Sequence, residues 1–238
     1  MLIIAPTGQA ALFDGGPTEA ASTVVADLHK YGVERLDIVF NSHGHVDHTG
    51  GLVSVLHEFP VAKIVTNGQP NTTSSYVQFL NAALASNAEY IEAARGSSFP
   101  LGDLVLQVYS PPAPRPTGDL NHNSLVVRFV YGQHAFLLMG DADQAAESAI
   151  LASGLDVRSD VLQAGHHCSS DASSPIFLQA VKPKYAVCSV GAGNPYGHPH
   201  AQTLQNLLDV GATVFRTDLN GTIAFTSDGT TLSAEAER

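Results

Sequence analysis

Residues Asn41–Gly51 read NSHGHVDHTGG and directly follow the apolar run LDIVF at Leu36–Phe40. A short apolar run that ends at a turn signal predicts a buried β-strand. The histidines therefore arrive at the carboxyl end of a strand, which is where open α/β folds place their sites. Gly50 and Gly51 then lead into a predicted helix, GGLVSVLHEF.

The histidines and the aspartate of this stretch are spaced like metal ligands. His43 and His45 are two residues apart, so both rings project to the same side of an extended segment. Asp47 and His48 follow after a further bend and can face a second point. Imidazole and carboxylate are the ligands that zinc and its neighbours in the first transition series take. The pattern therefore predicts two metal ions, in preference to a polar loop that is merely rich in histidine.

This HxHxDH pattern resembles the signature of the metallo-β-lactamase superfamily, and further motifs follow in the expected order. They are LFDGGP at Leu12–Pro17, LLMGDAD at Leu137–Asp143 and AGHHCSS at Ala164–Ser170. One branch is most similar: the C-terminal hydrolase (nuclease) domain of ComEC-type DNA-uptake proteins. Its likeness rests on NHNSLVVRFVYG at Asn121–Gly132, SVGAGNPYGHPH at Ser189–His200 and FRTDLNGTI at Phe215–Ile223. The likeness covers nearly the whole chain.

The resemblance implies a four-layer αββα sandwich, in which two mixed β-sheets are flanked by helices. A chain of 238 residues with 44% apolar and 14% charged residues is long enough to bury one substantial core. We therefore expect a single domain over residues 1–238. The family usually has one more strand, with a GQGD-like turn, before the first strand of this sequence. The last hairpin, residues 221–225 and 230–233, is expected to close the second sheet.

The resemblance also implies which residues hold the metals. The first ion is assigned to His43, His45 and His122, and the second ion to Asp47, His48 and His166. Asp141 follows the apolar run AFLLM and is expected to bridge both ions.

Two of these assignments have alternatives. Asn121 competes with His122 for the third position of the first site, and an open coordination position is a further alternative. His166 is preferred to His167 because it comes first after the predicted strand Val161–Ala164. His167 is then left to contact the substrate or to support a ligand.

Two more residues are implied to act beside the metals. Asp14 is expected to accept a hydrogen bond from a metal-bound histidine and so fix its tautomer; the alternative is an aspartate that only holds a turn. His198, between Gly197 and Pro199, is expected to bind the scissile group or protonate its leaving oxygen. The alternative is a loop histidine that caps the next helix. The catalytic set is therefore predicted as Asp47, His167 and His198.

The net charge of the chain and its few cationic residues limit which substrates it can bind. The net charge of −11 argues against broad attraction to nucleic acid or to anionic membranes. The candidates for a backbone-binding track are few: Arg115, Arg128, Lys182, Lys184 and Arg216. Two divalent ions next to Asp47 and Asp141 would nevertheless leave the site itself cationic, so a phosphate can bind there.

The remaining composition bears on compartment. Cys168 and Cys188 are too few for a disulfide framework, so free thiols are expected, with Cys168 as a small buried residue. The opening MLIIAPTG lacks the basic start of a signal peptide. No apolar run approaches the roughly 20 residues that span a bilayer. We therefore expect a soluble, cytoplasmic protein without a transmembrane segment.

Together these features predict a hydrolase that uses two divalent ions, zinc or manganese, and a metal-bridging hydroxide. The leading substrate is a phosphodiester, as a nuclease acting on DNA would cleave. The alternative is a small ester-like molecule, as for a lactonase, a β-lactamase or a phosphotriesterase. A non-catalytic binding module on the same fold is less favoured, because such a module is expected to have lost ligands.

Overall fold

The computed structural model describes residues 1–116 and 118–238, and its first sheet comes from the N-terminal part of the chain. In spatial order its strands are β1 (Leu2–Ile4), β2 (Ala10–Phe13), β3 (Leu36–Asn41), β4 (Val61–Thr66) and β5 (Glu89–Glu92). The β1 strand pairs antiparallel with β2, and the remaining neighbours are parallel. Four parallel strands therefore end at one edge, where the predicted ligands begin.

The second sheet is also mixed and has seven strands. In spatial order they are β12 (Thr213–Arg216), β11 (Tyr185–Cys188), β10 (Val161–Gln163), β9 (His134–Leu138), β8 (Val126–Tyr131), β7 (Leu104–Ser110) and β6 (Ser98–Leu101). Strands β6 to β9 form an antiparallel meander, and β9 to β12 run parallel. The parallel half lies where helices connect consecutive strands, as parallel pairing requires.

Helices cover the outer face of each sheet. The first sheet packs against α1 (Ala21–Lys30), α2 (Val46–Glu58) and α3 (Ser74–Ala85), and the second against α4 (Gln144–Ala152), α5 (Pro175–Val181) and α6 (Ala201–Asp209). A third apolar cluster lies between the two sheets. The predicted αββα order of layers is therefore confirmed.

The apolar strands are explained by burial on both faces. In β2, Ala11 and Phe13 pack between the sheets, whereas Ala10 and Leu12 pack toward the helices. Because successive side chains point to opposite faces, a strand covered on both sides needs a continuous apolar run.

The last hairpin is not where the sequence placed it. A short helix, α7 (Thr217–Asn220), follows β12, and β13 (Ile223–Ser227) then pairs with β14 (Leu232–Ala236) as a separate two-stranded sheet. Phe225 packs against Tyr185, with ring centroids 5.6 Å apart. The expectation that this hairpin closes the second sheet is wrong, because α7 redirects the chain so that the hairpin lies across side chains of that sheet.

Over the described ranges, 1–116 and 118–238, the structure has no helix whose length and apolar character would suffice to cross a membrane.

Candidate metal centre

The predicted ligand stretch straddles the end of β3 and the start of α2. His43 and His45 lie in the connection, and α2 begins at Val46 with His45 as its N-cap residue. Asp47 and His48 therefore occupy the first helical turn and do not follow a bend in a loop. The first turn of the helix, and not a loop, sets the direction of these two side chains, and the ring centroid of His48 lies 4.1 Å from that of His43.

One candidate ligand group combines α2 with two later loops. Its members are Asp47, His48, Asp141 and His167, whose ligand atoms lie within 4.8 Å of one another. The Asp141 Oδ1 atom is 3.2 Å from His48 Nε2 and 3.4 Å from His167 Nε2. His167 Nε2 is also 3.4 Å from Asp47 Oδ2. Four donor atoms from three parts of the chain thus point at one position.

A second group shares Asp141 and contains His43 and His45. His43 Nε2 lies 2.9 Å from His45 Nδ1 and 3.7 Å from Asp141 Oδ2. Asp141 therefore presents one carboxylate oxygen to each group. It is 2% exposed, and its place between the groups is the one predicted for a bridging carboxylate.

The backbone around Asp141 is held by two buried polar side chains. Gln163 Oε1 accepts hydrogen bonds from Met139 N at 2.9 Å and from Gly140 N at 3.0 Å. Ser124 Oγ accepts a hydrogen bond from Asp141 N at 3.2 Å. These contacts fix the turn after β9 and hence the direction of the carboxylate.

In three histidines of the two ligand groups, Nε2 faces the other ligands and Nδ1 has a polar partner. His48 Nδ1 is 2.8 Å from Asp14 Oδ2, and His167 Nδ1 is 2.7 Å from Ser189 O. His43 Nδ1 lies 3.0 Å from Ser42 Oγ. Because an Nδ1–H that donates to oxygen leaves Nε2 with its lone pair, this arrangement presents Nε2 of His48 and His167 as ligand atoms.

Asp14 reaches His48 because two backbones approach closely. A β-carbon on Gly51 would collide with the carbonyl oxygen of Gly15, and one on Gly15 would collide with the backbone of α2. Gly15 N donates to His48 O at 2.9 Å. Asp14 also accepts hydrogen bonds from Ser42 N and Ser42 Oγ, both at 2.7 Å. The glycines thus bring the Asp14 loop against the first turns of α2.

The electrostatics of the cluster favour positive charge between its carboxylates. Burial works to lower the pKa of His48, but Asp141 and Asp14 outweigh it and raise that pKa well above its usual value. Burial would raise the pKa of Asp47, but the imidazole of His167 beside its carboxylate and the charge of His48 lower it to about 2. Burial and the charge of His48 lower the pKa of His43 to about 3. His43 is thus kept neutral, as a metal ligand must be.

In the group that contains Asp47, three buried ligand atoms lack any hydrogen-bond partner: His48 Nε2, His167 Nε2 and Asp141 Oδ1. Buried polar atoms without partners are rare and call for an explanation. Metal bonds of about 2.0–2.2 Å put neighbouring ligand atoms of a tetrahedral ion about 3.3–3.6 Å apart. The separations of 3.2 and 3.4 Å around Asp141 Oδ1 are close to that spacing. The residues present therefore fit a divalent cation.

Two predicted ligands lie outside both groups. His122 Nδ1 is 2.9 Å from Asp143 Oδ1, so that side chain is held at the start of α4. His166 Nδ1 is 2.8 Å from Asp171 Oδ1, and its Nε2 is 3.2 Å from Asn121 Nδ2. His166 Nε2 approaches Asp141 Oδ2 only to 3.9 Å. The structure places His167, and not His166, in the group with Asp47.

His198 lies at the rim of the cluster. Its ring centroid is 6.2 Å from that of His167 and 5.6 Å from that of His166. The residue that precedes α6 is His200, and no side chain caps that helix. The alternative in which His198 caps the helix is therefore excluded.

The loop that carries His167 has an unusual backbone and a covalent link. His166, His167 and Cys168 have φ values of 45°, 53° and 60°, a left-handed conformation that non-glycine residues seldom adopt. A disulfide joins Cys168 to Cys188, whose Cα atoms are 5.5 Å apart. The expectation of free thiols is wrong, because the fold brings the end of β11 beside this loop and makes two cysteines 20 residues apart neighbours.

The chain matches the family model of the metallo-beta-lactamase superfamily over residues 1–192, and it belongs to that superfamily. It is thus a protein of a metal-dependent hydrolase family that carries candidate ligand groups for divalent ions.

Among its relatives are competence proteins. The chain is 35% identical over 218 residues to the competence protein ComA of Neisseria gonorrhoeae. It is 32% identical over 194 residues to the ComE operon protein 3 of Bacillus subtilis (strain 168). The alignments cover 90% and 82% of this chain but only 29% and 25% of those proteins, so the chain spans about a quarter of their length. The predicted resemblance to ComEC-type proteins is confirmed.

Solved structures show the same fold. The metallo-beta-lactamase fold protein YhfI from Bacillus subtilis superposes with a TM-score of 0.54 at 16% identity, covering 87% of this chain and 84% of that one. Tm1679, a metal-dependent hydrolase of the beta-lactamase superfamily, gives a TM-score of 0.55 at 12% identity, covering 87% and 85%. At these identities the likeness supports the fold and carries no residue roles.

Sequence reasoning missed several groups that support the site. Ser42 Oγ contacts Asp14 and His43, and Ser124 Oγ lies 3.3 Å from His43 Nδ1. Both serines stand next to residues that the motifs singled out, in NSHGH and NHNS, and that adjacency was the available signal. The carbonyl of Ser189, which accepts from His167, had no signal, because any residue carries such a carbonyl.

Proposed function

We propose that the protein is a two-metal phosphodiesterase that cleaves DNA. The observation that carries this proposal is Asp141, whose two carboxylate oxygens face two separate groups of candidate ligands. A carboxylate shared in this way holds two cations at a short, fixed separation, which is the arrangement that two-metal phosphodiester chemistry needs.

The residues divide between two ions, for which we propose zinc or manganese. One ion would be held by His43, His45 and Asp141 Oδ2, and the other by Asp47, His48, His167 and Asp141 Oδ1. Such ions, when bound, lower the pKa of coordinated water and polarise a phosphoryl oxygen. With three protein ligands, the first site keeps a position open for solvent or substrate, as catalytic sites do.

The protein's own groups prepare the site for a phosphate. Asp14 and the Ser189 carbonyl orient His48 and His167, so the ligand atoms need not reorganise. His198 stands beside His166 and His167 at the open side of the cluster. We propose that His198 contacts the scissile phosphate and orients it toward the ligand groups.

The choice of DNA rests on the relatives. Two proteins of which this chain resembles a part are a competence protein and a product of the ComE operon, and resemblance to DNA-uptake proteins implies a nuclease domain. The geometry of the two ligand groups supports phosphodiester hydrolysis, and the resemblance to competence proteins supports DNA as the substrate.

Cleavage of labelled single- and double-stranded DNA, with Mn²⁺ or Zn²⁺ supplied after chelation, tests the proposal. The wild type is expected to cleave only with metal, and Asp47→Ala and His48→Ala are expected to abolish cleavage. Asp103→Ala, at an exposed position between β6 and β7, is the matched control that keeps full activity. Metal-dependent cleavage that survives both ligand substitutions would show a contaminating nuclease, and no cleavage at all would refute the proposal.

A small-molecule hydrolase is the second candidate, and one observation favours it. Arg128 donates to Asp156 Oδ2 at 3.1 Å and Arg216 to Asp218 Oδ2 at 2.6 Å, so two of the five predicted cations already have anionic partners. A neutral ester needs no cationic track. Turnover of lactones, β-lactams and phosphotriesters tests this candidate, and flat traces with the metal-loaded protein would eliminate it.

A further inference from the structure

A row of aromatic rings leads from the ligand cluster to the surface. The ring of His48 lies 5.3 Å from that of His167, and His167 lies 6.2 Å from His198 at an angle of 24°. Tyr196 continues the row, stacked 5.8 Å from His198 at 28°. Tyr196 is 72% exposed, so the row ends in an open aromatic face.

The loop that presents this face is tied down by one side chain. Asn194 Oδ1 accepts hydrogen bonds from Tyr196 N at 3.2 Å and from His198 N at 3.1 Å. Asn194 Nδ2 donates to His198 O at 2.7 Å and to Gly191 O at 3.0 Å. Because these four contacts fix both ring-bearing residues, little ordering is left to be done when a flat ligand stacks on Tyr196.

The ends of the loop are anchored to the scaffold as well. Val190 N donates to Thr217 Oγ1 at 2.7 Å, and His200 N donates to the carbonyl of Cys168 at 2.9 Å. The second anchor joins the loop to the segment that carries His167. The exposed ring of Tyr196 therefore has a defined position relative to the ligand groups.

Three of the five cations considered for a backbone-binding track already contact protein groups. The net charge is −11, and the guanidinium groups of Arg128 and Arg216 are in ion pairs. Arg115 donates to the carbonyl oxygen of Asn67. Stacking of a base on an aromatic ring needs no positive charge and accepts any base, because every base has a π-face.

We propose that Tyr196, supported by His198, is a stacking platform for an unpaired nucleobase, so that the substrate of this site is single-stranded DNA. The proposal rests on the proposed phosphodiesterase function. Bases in a duplex already stack on each other and present only their edges, whereas an unpaired base can lie flat on Tyr196. The phosphate next to a base held there is directed along the row of rings to the ligand groups.

Binding of a single-stranded oligonucleotide tests the platform directly. The probe carries 2-aminopurine, whose fluorescence is quenched by stacking, and cleavage-resistant phosphorothioate linkages; the protein is loaded with metal. The wild type is expected to quench the probe, and Tyr196→Ala to weaken binding by about tenfold, in line with the loss of one base stack. Tyr196→Phe keeps a ring and is expected to bind as the wild type does.

Two controls separate stacking from other causes. Tyr31→Ala removes a tyrosine that is 41% exposed at the end of α1 and is expected to change nothing. An oligonucleotide of the same length with abasic sites keeps the phosphates but lacks the bases. The wild type and Tyr196→Ala are expected to bind this abasic strand with the same low affinity.

The outcomes distinguish a failure of the stacking platform from a failure of the proposed phosphodiesterase function. Equal affinity of wild type and Tyr196→Ala for the base-containing strand, or an equal loss on the abasic strand, would overturn the platform. Tighter binding of a duplex than of the single strand would do the same. Quenching that depends on Tyr196 in a protein that never cleaves DNA would leave the platform standing and refute the phosphodiesterase.

Discussion

Cys168 and Cys188 are joined by a disulfide that ties the loop of His167 to the end of β11. The residue before Cys168 is His167, and the residue after Cys188 is Ser189, whose carbonyl accepts the hydrogen bond from His167 Nδ1. The covalent link therefore holds together the two partners of the contact that orients His167. The left-handed backbone at His166 and His167 is otherwise costly, by about 1 kcal/mol or more per residue.

Reduction of this disulfide is expected to weaken metal binding at the group that contains His167. Loss of the link frees the Ser189 carbonyl to move away, and loss of such an orienting partner typically lowers metal affinity by about 10- to 100-fold. Competition with a fluorescent zinc chelator, with and without a phosphine reductant, measures the change. The variant with Cys168→Ala and Cys188→Ala is expected to bind metal weakly and to ignore the reductant. Equal affinity of oxidised and reduced wild type would contradict this role.

Asp141 is expected to be required at both metal positions. Substitution Asp141→Ala removes a ligand oxygen from each group, so the metal content should fall from about two ions per chain to well below one. His43→Ala and His167→Ala each affect one group, and each is expected to retain about one ion. Elemental analysis of the purified proteins provides the counts, with Asp103→Ala as the exposed control. A full complement of metal in Asp141→Ala would rule out the bridge.

Gly51 is expected to resist substitution because of its contact with Gly15. Gly51→Ala places a methyl group against the Gly15 carbonyl, and overpacking of this kind costs about 1–3 kcal/mol. The shift also displaces Asp14 from His48, so metal affinity should fall together with the melting temperature. Gly191→Ala is the matched control, since a β-carbon there meets no atom within 4 Å. The prediction fails if the two variants melt alike.

Glu147 is expected to make stability depend on pH. Burial raises the pKa of Glu147 to about 7, although its carboxylate accepts hydrogen bonds from Ser173 N and Ser174 N. The folded protein therefore binds the proton more tightly than the unfolded chain, whose glutamate has its ordinary value of 4.5. This contribution to stability is complete below pH 4.5 and is lost as the pH rises to about 7.

Urea unfolding of the metal-free protein measures this effect. The stability of the wild type relative to Glu147→Gln is expected to fall by about 3 kcal/mol across that interval. The glutamine stays uncharged at every pH, and Glu235→Gln, at an exposed position in β14, is the control that keeps the wild-type profile. Parallel stability curves for wild type and Glu147→Gln would show that the buried carboxylate does not titrate in this range.

Some secondary-structure elements can be predicted from the local sequence pattern alone. The apolar run at 36–40 lies in the buried strand β3, and α5 begins at Pro175, a residue type that suits the first position of a helix. Local pattern suffices there because burial of an apolar face and the missing N–H of an N-terminal proline act within a few residues. The final hairpin was misplaced, because which sheet a strand joins depends on partners distant in the chain.

The amino-acid sequence by itself determined the kind of ligand atoms and their order along the chain, since these depend on side-chain chemistry, and its motifs implied the layers through the family resemblance. Only the tertiary structure decided that His167 and not His166 turns toward Asp47, and that Cys168 meets Cys188. Neighbouring histidines are chemically identical, and a left-handed backbone, fixed by contacts with β11, determines which of them faces the cluster.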